Sequence, residues 1–264
     1  MTERPLETGW LPDTPVDDTL LRQFLENQIE VTELFASNPA GRVERTDRMA
    51  AGDTGGPIAY FNQAILVQPL SGPSDAVLDE VEAFYAPATA DGRGSTLLSI
   101  WPTPDLSGRG WSLAGHPAIV ARPPGPHPPA NAPEVEVVSL GPGETDEYER
   151  VMIEGYPMPE AAGLPGGSLI PTAAMDAGLT VRVARVGGEA VATATGYAGH
   201  GIVNLCGAAT LPAARRKGAW GALVWARVDD APDLPAVAYT SDYSRPGFLH
   251  LGFLVITRFT LWYR

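Results

Sequence analysis

The residues best suited to chemistry form one short run in the second half of the chain. They are Arg215, Arg216, Lys217, Gly218, Ala219, Trp220 and Gly221. A strand-like run at 202–206 precedes them, and a helical run at 222–228 follows. The first N–H groups of a helix lack internal partners and carry the positive end of the helix dipole, so they attract anions. Glycines at such a position let the backbone approach the anion closely. The run therefore predicts a phosphate-binding loop between a strand and a helix.

Composition limits the classes of function. The chain has 264 residues and a net charge of −13, which argues against nucleic acid and anionic membranes as main partners. It contains no apolar run of membrane-spanning length, and its first residues lack the apolar core of a signal peptide. Cys206 is the lone cysteine, so no internal disulfide can form, and we expect it to be a small buried residue. The histidines lack zinc-site spacing. These features predict a cytoplasmic protein without a metal site.

A proline-rich segment at 122–129 divides the chain, because proline this dense favours an extended connection. We therefore expect two domains, 1–125 and 131–264. In the first, the patterns predict helices at 17–38 and 75–85 and strands at 58–67, 96–101 and 118–121. In the second they predict strands at 134–140, 180–186, 189–196, 202–211, 235–240 and 253–263, helices at 143–156, 222–230 and 246–251, and a loop at 157–174. This order indicates an α+β fold around a mixed sheet.

The order of elements, with a cationic glycine loop after the fourth strand of the second half, resembles the GNAT superfamily of acyl-CoA N-acyltransferases. The matching residues run from 208 to 223, and a second match at 244–253 ends in Leu251-Gly252-Phe253. Together they cover about 131–264. The pattern is similar to actinobacterial members that carry two GNAT-like halves. The resemblance therefore implies a tandem protein whose first half is a degenerate copy without the cationic loop.

The resemblance also implies a cofactor and a reaction. The pyrophosphate of acetyl-CoA would lie on the backbone amides of 216–221, with Arg215 beside them, and the pantetheine would pair with the strand residues Ala208, Ala209 and Thr210. The activity implied is transfer of an acetyl group from acetyl-CoA to a primary amine of a small molecule or a peptide. The protein would act as a monomer or a homodimer.

The chain departs from the family pattern at two positions. Trp220 stands where a glycine or alanine is usual, and Phe248 stands where many members have a tyrosine that protonates the departing thiolate. Tyr243 and Asp242 are the nearest substitutes and are our candidate catalytic residues; water, His200 or Asp242 would deprotonate the amine. These departures leave two alternatives to an acetyltransferase open. One is a non-catalytic CoA-binding or interaction protein. The other is a protein that keeps the fold but binds no cofactor, because Trp220 closes the groove.

Overall fold

The computed structural model describes residues 19–129, 132, 134–156 and 158–264, which form two mixed β-sheets packed against helices. The helices are α1 (Leu20–Phe35), α2 (Ala76–Ala90), α3 (Asp146–Gly155), α4 (Thr172–Asp176), α5 (Ala219–Val228) and α6 (Arg245–His250). The strands are β1 (Arg42–Arg45), β2 (Met49–Asp53), β3 (Gln63–Leu66), β4 (Thr96–Ser99), β5 (Ser112–Gly115), β6 (Ala118–Arg122), β7 (Val135–Ser139), β8 (Thr180–Val186), β9 (Glu189–Gly199), β10 (Ile202–Asn204), β11 (Ala208–Thr210), β12 (Ala236–Thr240), β13 (Leu254–Arg258) and β14 (Thr260–Tyr263). Among these residues, no helix is long and apolar enough to cross a membrane.

The two sheets have different strand orders. The first sheet runs β1-β2-β3-β4-β14-β5, and the second runs β13-β6-β12-β10-β9-β8-β7, with β11 beside β9. In the first sheet β3 and β4 are parallel, and in the second β10 and β12 are parallel. The predicted α+β class with mixed sheets is therefore confirmed.

Each sheet contains one strand from the other end of the chain. Strand β6 lies between β12 and β13 in the second sheet, and the C-terminal strand β14 lies between β4 and β5 in the first. The prediction of a single terminal strand at 253–263 was wrong, because this segment forms two strands, β13 and β14, in different sheets. The chain leaves the second sheet at Phe259, whose ring is buried between the sheets. The division into domains 1–125 and 131–264 stays a prediction, and residues 130, 131 and 133 lie outside the described ranges.

Helix α1 joins the two halves through one apolar cluster. Thr19 caps its first turn, since the Thr19 side chain accepts a hydrogen bond from the Arg22 N–H. Phe24 and Ile29 are fully buried and pack with residues of both sheets: Ile65 and Leu98 from the first, and Ile202 and Val237 from the second. The halves therefore share a core, so the second half is supported by residues from the first.

Two predicted strands are interrupted, and one predicted hairpin is confirmed. The strand expected at 58–67 begins with a 3-10 turn, Ala59–Phe61, because the Asn62 side chain hydrogen-bonds to the backbone at Thr54, Gly56 and Gly94. The strand expected at 202–211 is divided into β10 and β11. The hairpin between β8 and β9 turns at Gly187 and Gly188, whose φ values of 59° and 87° suit a type I′ turn.

Candidate functional site

A wide groove crosses the second half and contains the cationic loop. Its volume is about 1960 Å³, and most of its lining comes from four parts of the chain. These are strand β11, the loop and first turn of α5 (214–222), residues around α6, and the proline-rich segment before β7. Gly155 and Tyr156, at the end of α3, close one side of it. The sequence-predicted phosphate loop and strand residues therefore lie together in a single cavity.

The loop leaves the start of α5 open to the groove. Arg216 has a φ of 63° and Gly218 has a φ of 90°, so both lie in the left-handed region, where glycine is unstrained and arginine is not. Gly218 is the N-cap of α5, and no side chain among the described residues caps the first turn. A Cβ atom added at Gly221 would meet nothing within 4 Å. The first turn can therefore receive an anion on its N–H groups.

The three cations of the loop have different surroundings. Arg215 is committed to the backbone: its Nε donates to the Thr210 carbonyl at 3.2 Å, and its Nη2 donates to the Gly155 carbonyl at 3.0 Å. Arg216 and Lys217 are exposed and form no ion pair with any described residue. Two of the three predicted cations are therefore free to contact an anion, while Arg215 connects α3 to β11.

Strand β11 presents one unpaired edge. It pairs only with β9 within the described ranges, at Ala208–Ala194 through Thr210–Ala192. The parallel pairing between β10 and β12 ends where the Leu205 N–H donates to the Val237 carbonyl at 2.8 Å. Beyond that point the segment that leads to β11 separates from β12. An extended ligand can therefore pair with the free edge of β11 in the way an added strand would.

A buried arginine supports the backbone between β10 and β11. Arg227, on α5, is fully buried, and its Nη1 donates to the carbonyls of Thr195 (2.9 Å) and Cys206 (3.2 Å). Gly207, with a φ of 46°, leaves no room for a side chain, since a Cβ would lie 2.6 Å from the Thr195 Oγ1. Sequence analysis missed Arg227; the available signal is a lone arginine within the apolar helix at 219–228. Cys206 is buried as expected, and burial raises the pKa of its thiol.

Trp220 forms a wall of the groove against α6. Its indole meets the Phe248 ring edge-to-face, with centroids 4.8 Å apart, and a Cβ added at Gly247 would lie 3.0 Å from the indole. The small size of Gly247 thus accommodates the indole, which stands against the helix and leaves the 1960 Å³ space beside it. The alternative in which Trp220 closes the groove is not supported by this arrangement.

The candidate proton-transfer residues lie just after the C-terminal end of β12. Tyr243 lines the groove and is 99% exposed. The Asp242 carboxylate pairs with Arg245 and, at 2.8 Å, with Arg258. Phe248 is buried against Phe253, with ring centroids 5.1 Å apart. The catalytic roles of Tyr243 and Asp242 stay predictions.

His200 lies elsewhere, at the turn between β9 and β10. Its Nε2 is 2.8 Å from the Glu30 carboxylate on α1, and the two side chains are 39% and 38% exposed. Among the described residues, no group of three or more His, Cys, Asp or Glu side chains is arranged to hold a metal ion.

Sequence analysis also missed a pair of tyrosines near the end of α3, of which Tyr156 lines the groove. Tyr60 comes from the first half and Tyr156 from the second, and their rings meet edge-to-face with centroids 6.3 Å apart. Burial, followed by the Tyr60 phenol, raises the pKa of Tyr156 to about 12, so this phenol is protonated at neutral pH. Tyr156 could have been noticed at the end of a predicted helix. No sequence signal places Tyr60 beside it.

Comparisons with known proteins agree with the architecture. No family model and no curated protein matches the chain. A GCN5-related N-acetyltransferase from Kribbella flavida matches with a TM-score of 0.62 and 17% identity, over 91% of this chain and 93% of its own. A GCN5-related N-acetyltransferase-like protein from Streptococcus suis matches with a TM-score of 0.54 and 12% identity, over 90% and 98%. A functionally unknown conserved protein from Staphylococcus epidermidis matches with a TM-score of 0.59 and 11% identity, over 88% and 96%.

These matches extend over both sheets, since about nine-tenths of the chain is covered in each. At such low identity they show the fold. With the groove, the open start of α5 and the separated strands β11 and β12, they lead to one conclusion: this chain has the fold of the GNAT acetyltransferases, as its sequence predicts.

Proposed function

We propose that this chain is an acetyl-CoA-dependent N-acetyltransferase that acts on a primary amine of a small molecule or a peptide. The observation that carries the proposal is the uncapped start of α5, which opens into the groove beside Arg216 and Lys217. Bound acetyl-CoA would supply a thioester carbonyl that is activated toward nucleophiles.

The loop fits the diphosphate part of such a molecule. The first-turn N–H groups of α5 and the two free cations supply donors and positive charge in a protein whose net charge is −13. Gly221 has no neighbour within 4 Å of its missing Cβ, so phosphate oxygens can approach the helix start. Arg215 keeps the loop in place by connecting it to Gly155.

The free edge of β11 fits the amide-bearing arm. Backbone groups near Ala208 can pair with pantetheine amides, because no strand occupies that edge among the described residues. The arm would then lead to the point where β11 and β12 separate. A backbone N–H near Ala208 is our candidate for polarising the thioester carbonyl.

The reaction requires two proton movements. The amine nitrogen bonds to the acetyl carbon as the carbon–sulfur bond breaks, the nitrogen loses one proton, and the departing sulfur gains one. Tyr243 lines the groove and stays our candidate donor, with Asp242 beside it. Holding the amine and the thioester in contact would supply most of the rate enhancement.

A non-catalytic CoA-binding protein is the second candidate, and Phe248 is the observation that favours it. The residue at the position where a phenol is expected is buried among aromatic rings and carries no proton donor. A protein of this kind would bind acetyl-CoA with the same loop. It would release no CoA with any amine, so an assay for free CoA separates the two candidates.

Calorimetric titration with acetyl-CoA tests the shared part of both proposals. Gly221→Glu places a carboxylate at the phosphate position without backbone strain, and Gly221→Gln is the neutral control of equal size. We expect saturable binding to the unmodified protein, at least about tenfold weaker binding to Gly221→Glu, and a much smaller change for Gly221→Gln, since a tenfold change is about 1.4 kcal/mol. No binding at millimolar acetyl-CoA, or equal losses in both variants, would contradict the proposal.

A further inference from the structure

The proline-rich segment at 122–129 forms a wall of the groove as well as a connection along the chain. Every residue of this segment except His127 lines the groove, together with the cationic loop and residues of α6. Proline this dense keeps a chain extended and stiff. The segment is therefore suited to form a fixed wall for a ligand.

His127 fastens the middle of the segment to α5. Its ring stacks on the Trp225 indole, with centroids 4.2 Å apart and an angle of 4° between the planes. Its Nε2 lies 2.9 Å from the Asp229 carboxylate, so the ring contacts two residues of the same helical region. The His127 side chain is only 16% exposed, whereas that of Asp229 is 61% exposed. We therefore expect the stack on Trp225 to contribute more than the contact with Asp229.

Arg122 fastens the beginning of the segment. Its guanidinium donates to the carbonyls of Pro123 (3.3 Å), Gly125 (3.2 Å) and Pro126 (2.6 Å). Its Cζ also lies 5.3 Å from the centroid of the Trp225 ring, in the range of a cation–π contact. One arginine thus folds the segment back on itself beside the indole that His127 contacts.

The groove is electrostatically unlike the rest of the protein. The chain contains 31 Asp and Glu residues, yet none of them is among the described residues that line the groove. Four arginine and lysine residues line it: Arg122, Arg215, Arg216 and Lys217. Asp229 and Asp233 lie in a separate depression of about 640 Å³, which the proline-rich segment also borders. The cations of the groove are therefore arranged for a ligand with several negative charges, from the cationic loop to the proline-rich segment.

The chemistry of acetyl-CoA determines which part of it would reach this segment. Its diphosphate joins the pantetheine arm to an adenosine that carries a further phosphate. If the arm pairs with β11 and the diphosphate lies on the first turn of α5, the nucleoside must extend away from β11. Trp225 lies about 9 Å from Ala219 along the helix axis, at 1.5 Å per residue. The segment fastened at Trp225 is therefore within reach of the nucleoside.

Resting on the proposed acetyltransferase function, we propose that the proline-rich segment takes the nucleoside end of acetyl-CoA. It thereby selects thioesters of free CoA over the same thioester on the phosphopantetheine arm of a carrier protein. Proline rings supply apolar contact area for the base, and the cations at both ends of the groove attract the phosphates. His127 is a positioning residue in this arrangement, because it holds the segment without lining the groove.

Two thioesters test this assignment by calorimetric titration. Acetyl-CoA contains the nucleoside, and S-acetyl-4′-phosphopantetheine contains the same arm without it. We expect acetyl-CoA to bind the unmodified protein at least about tenfold more tightly, which is about 1.4 kcal/mol. Equal affinities would overturn the inference.

Variants of His127 test whether the segment causes this difference. We expect His127→Ala to weaken acetyl-CoA binding at least about fivefold and to leave S-acetyl-4′-phosphopantetheine binding unchanged, while His127→Phe keeps the stack on Trp225 and most of the affinity. His116→Ala, at an exposed histidine between β5 and β6 that does not line the groove, is the control. Equal weakening of both thioesters by His127→Ala, with unchanged stability, would contradict a role toward the nucleoside.

A substitution in the wall itself tests the same point without loosening the segment. Pro128 lines the groove and is exposed, and as a proline it donates no backbone hydrogen bond. Pro128→Glu adds a carboxylate where the groove has none, and Pro128→Gln is the neutral control of equal size. We expect Pro128→Glu to bind acetyl-CoA at least about threefold more weakly than Pro128→Gln does, and both to bind S-acetyl-4′-phosphopantetheine alike.

The outcomes separate this inference from the function on which it rests. If the unmodified protein fails to bind acetyl-CoA, the proposed function is wrong and the nucleoside site falls with it. If acetyl-CoA binds tightly but His127→Ala and Pro128→Glu change the affinities for both thioesters equally, or change neither, the function stands. In that case the nucleoside is held by other residues, and only the role of the proline-rich segment is wrong.

Discussion

The Arg215 guanidinium donates to the Gly155 carbonyl at 3.0 Å and thereby ties the cationic loop to the end of α3. Its Nε also donates to the Thr210 carbonyl at 3.2 Å, so one side chain joins a helix, a strand and a loop. Because Tyr156 follows Gly155 directly, this contact also sets the position of a residue that lines the groove. The first cation of the loop therefore positions the site through the backbone.

Replacing Arg215 should affect both stability and ligand binding. Arg215→Ala removes two hydrogen bonds to carbonyls at an exposed position, and we expect the free energy of unfolding to fall by about 1 kcal/mol. Acetyl-CoA binding should also weaken, since α3 and the loop lose their connection. Chemical denaturation and calorimetry measure the two effects. Arg216→Ala, which removes an unpaired cation, is the control and should weaken binding without reducing stability.

Replacing Arg216 by glycine should stabilise the protein and weaken ligand binding. Its φ of 63° places a non-glycine residue in the left-handed region, at a cost of roughly 1–2 kcal/mol. Glycine relieves that strain but loses more chain entropy on folding, so we expect a net gain of roughly 0.5–1 kcal/mol in denaturation experiments. Arg216→Ala keeps the strain and should show no gain. Equal stability of the two variants would contradict the argument.

Arg227 should be necessary for the separation of β10 and β11. Arg227→Met supplies an uncharged side chain of similar length but leaves the carbonyls of Leu223, Thr195 and Cys206 without this donor. We expect the free energy of unfolding to fall by roughly 3 kcal/mol. Arg45→Met, at an exposed ion pair with Glu26, should cost at most about 1 kcal/mol. A loss below 1 kcal/mol for Arg227→Met would show that these hydrogen bonds contribute little to stability.

Stability should fall in acid partly through Asp75. Its pKa is held well below the usual range, first by Arg48 and then by hydrogen bonds from Ser71 and from the Val77 N–H at the start of α2. A depressed pKa contributes stability that is fully present above the unfolded-state pKa of about 3.9 and is lost as the pH falls below it. Asp75→Asn should therefore be less stable than the unmodified protein at pH 7.

Denaturation from pH 7 to pH 2 measures this difference, which should shrink below about pH 4. Asp79→Asn, at an exposed carboxylate in the first turn of the same helix, is the control and should show much less pH dependence. A difference for Asp75→Asn that is constant over the whole range would show that the carboxylate contributes no charge-dependent stability.

Local sequence determined most elements and the position of the candidate phosphate-binding run. The alternation of β8 and β9 around two glycines, and the cationic loop before an apolar helix, depend on contacts between chain neighbours, so spacing and residue type suffice to predict them. The same locality explains why the GNAT fold was recognisable from residues 208–223 and 244–253.

Tertiary structure alone decided which distant residues meet. The exchange of β6 and β14 between the sheets, the use of Arg215 as a connector and the pairing of Tyr60 with Tyr156 all join residues far apart in the chain. No sequence pattern encodes such meetings, because they result from the packing of one shared core around α1. The sequence by itself therefore determined the position of the cationic loop, and the tertiary structure decided which distant residues surround it.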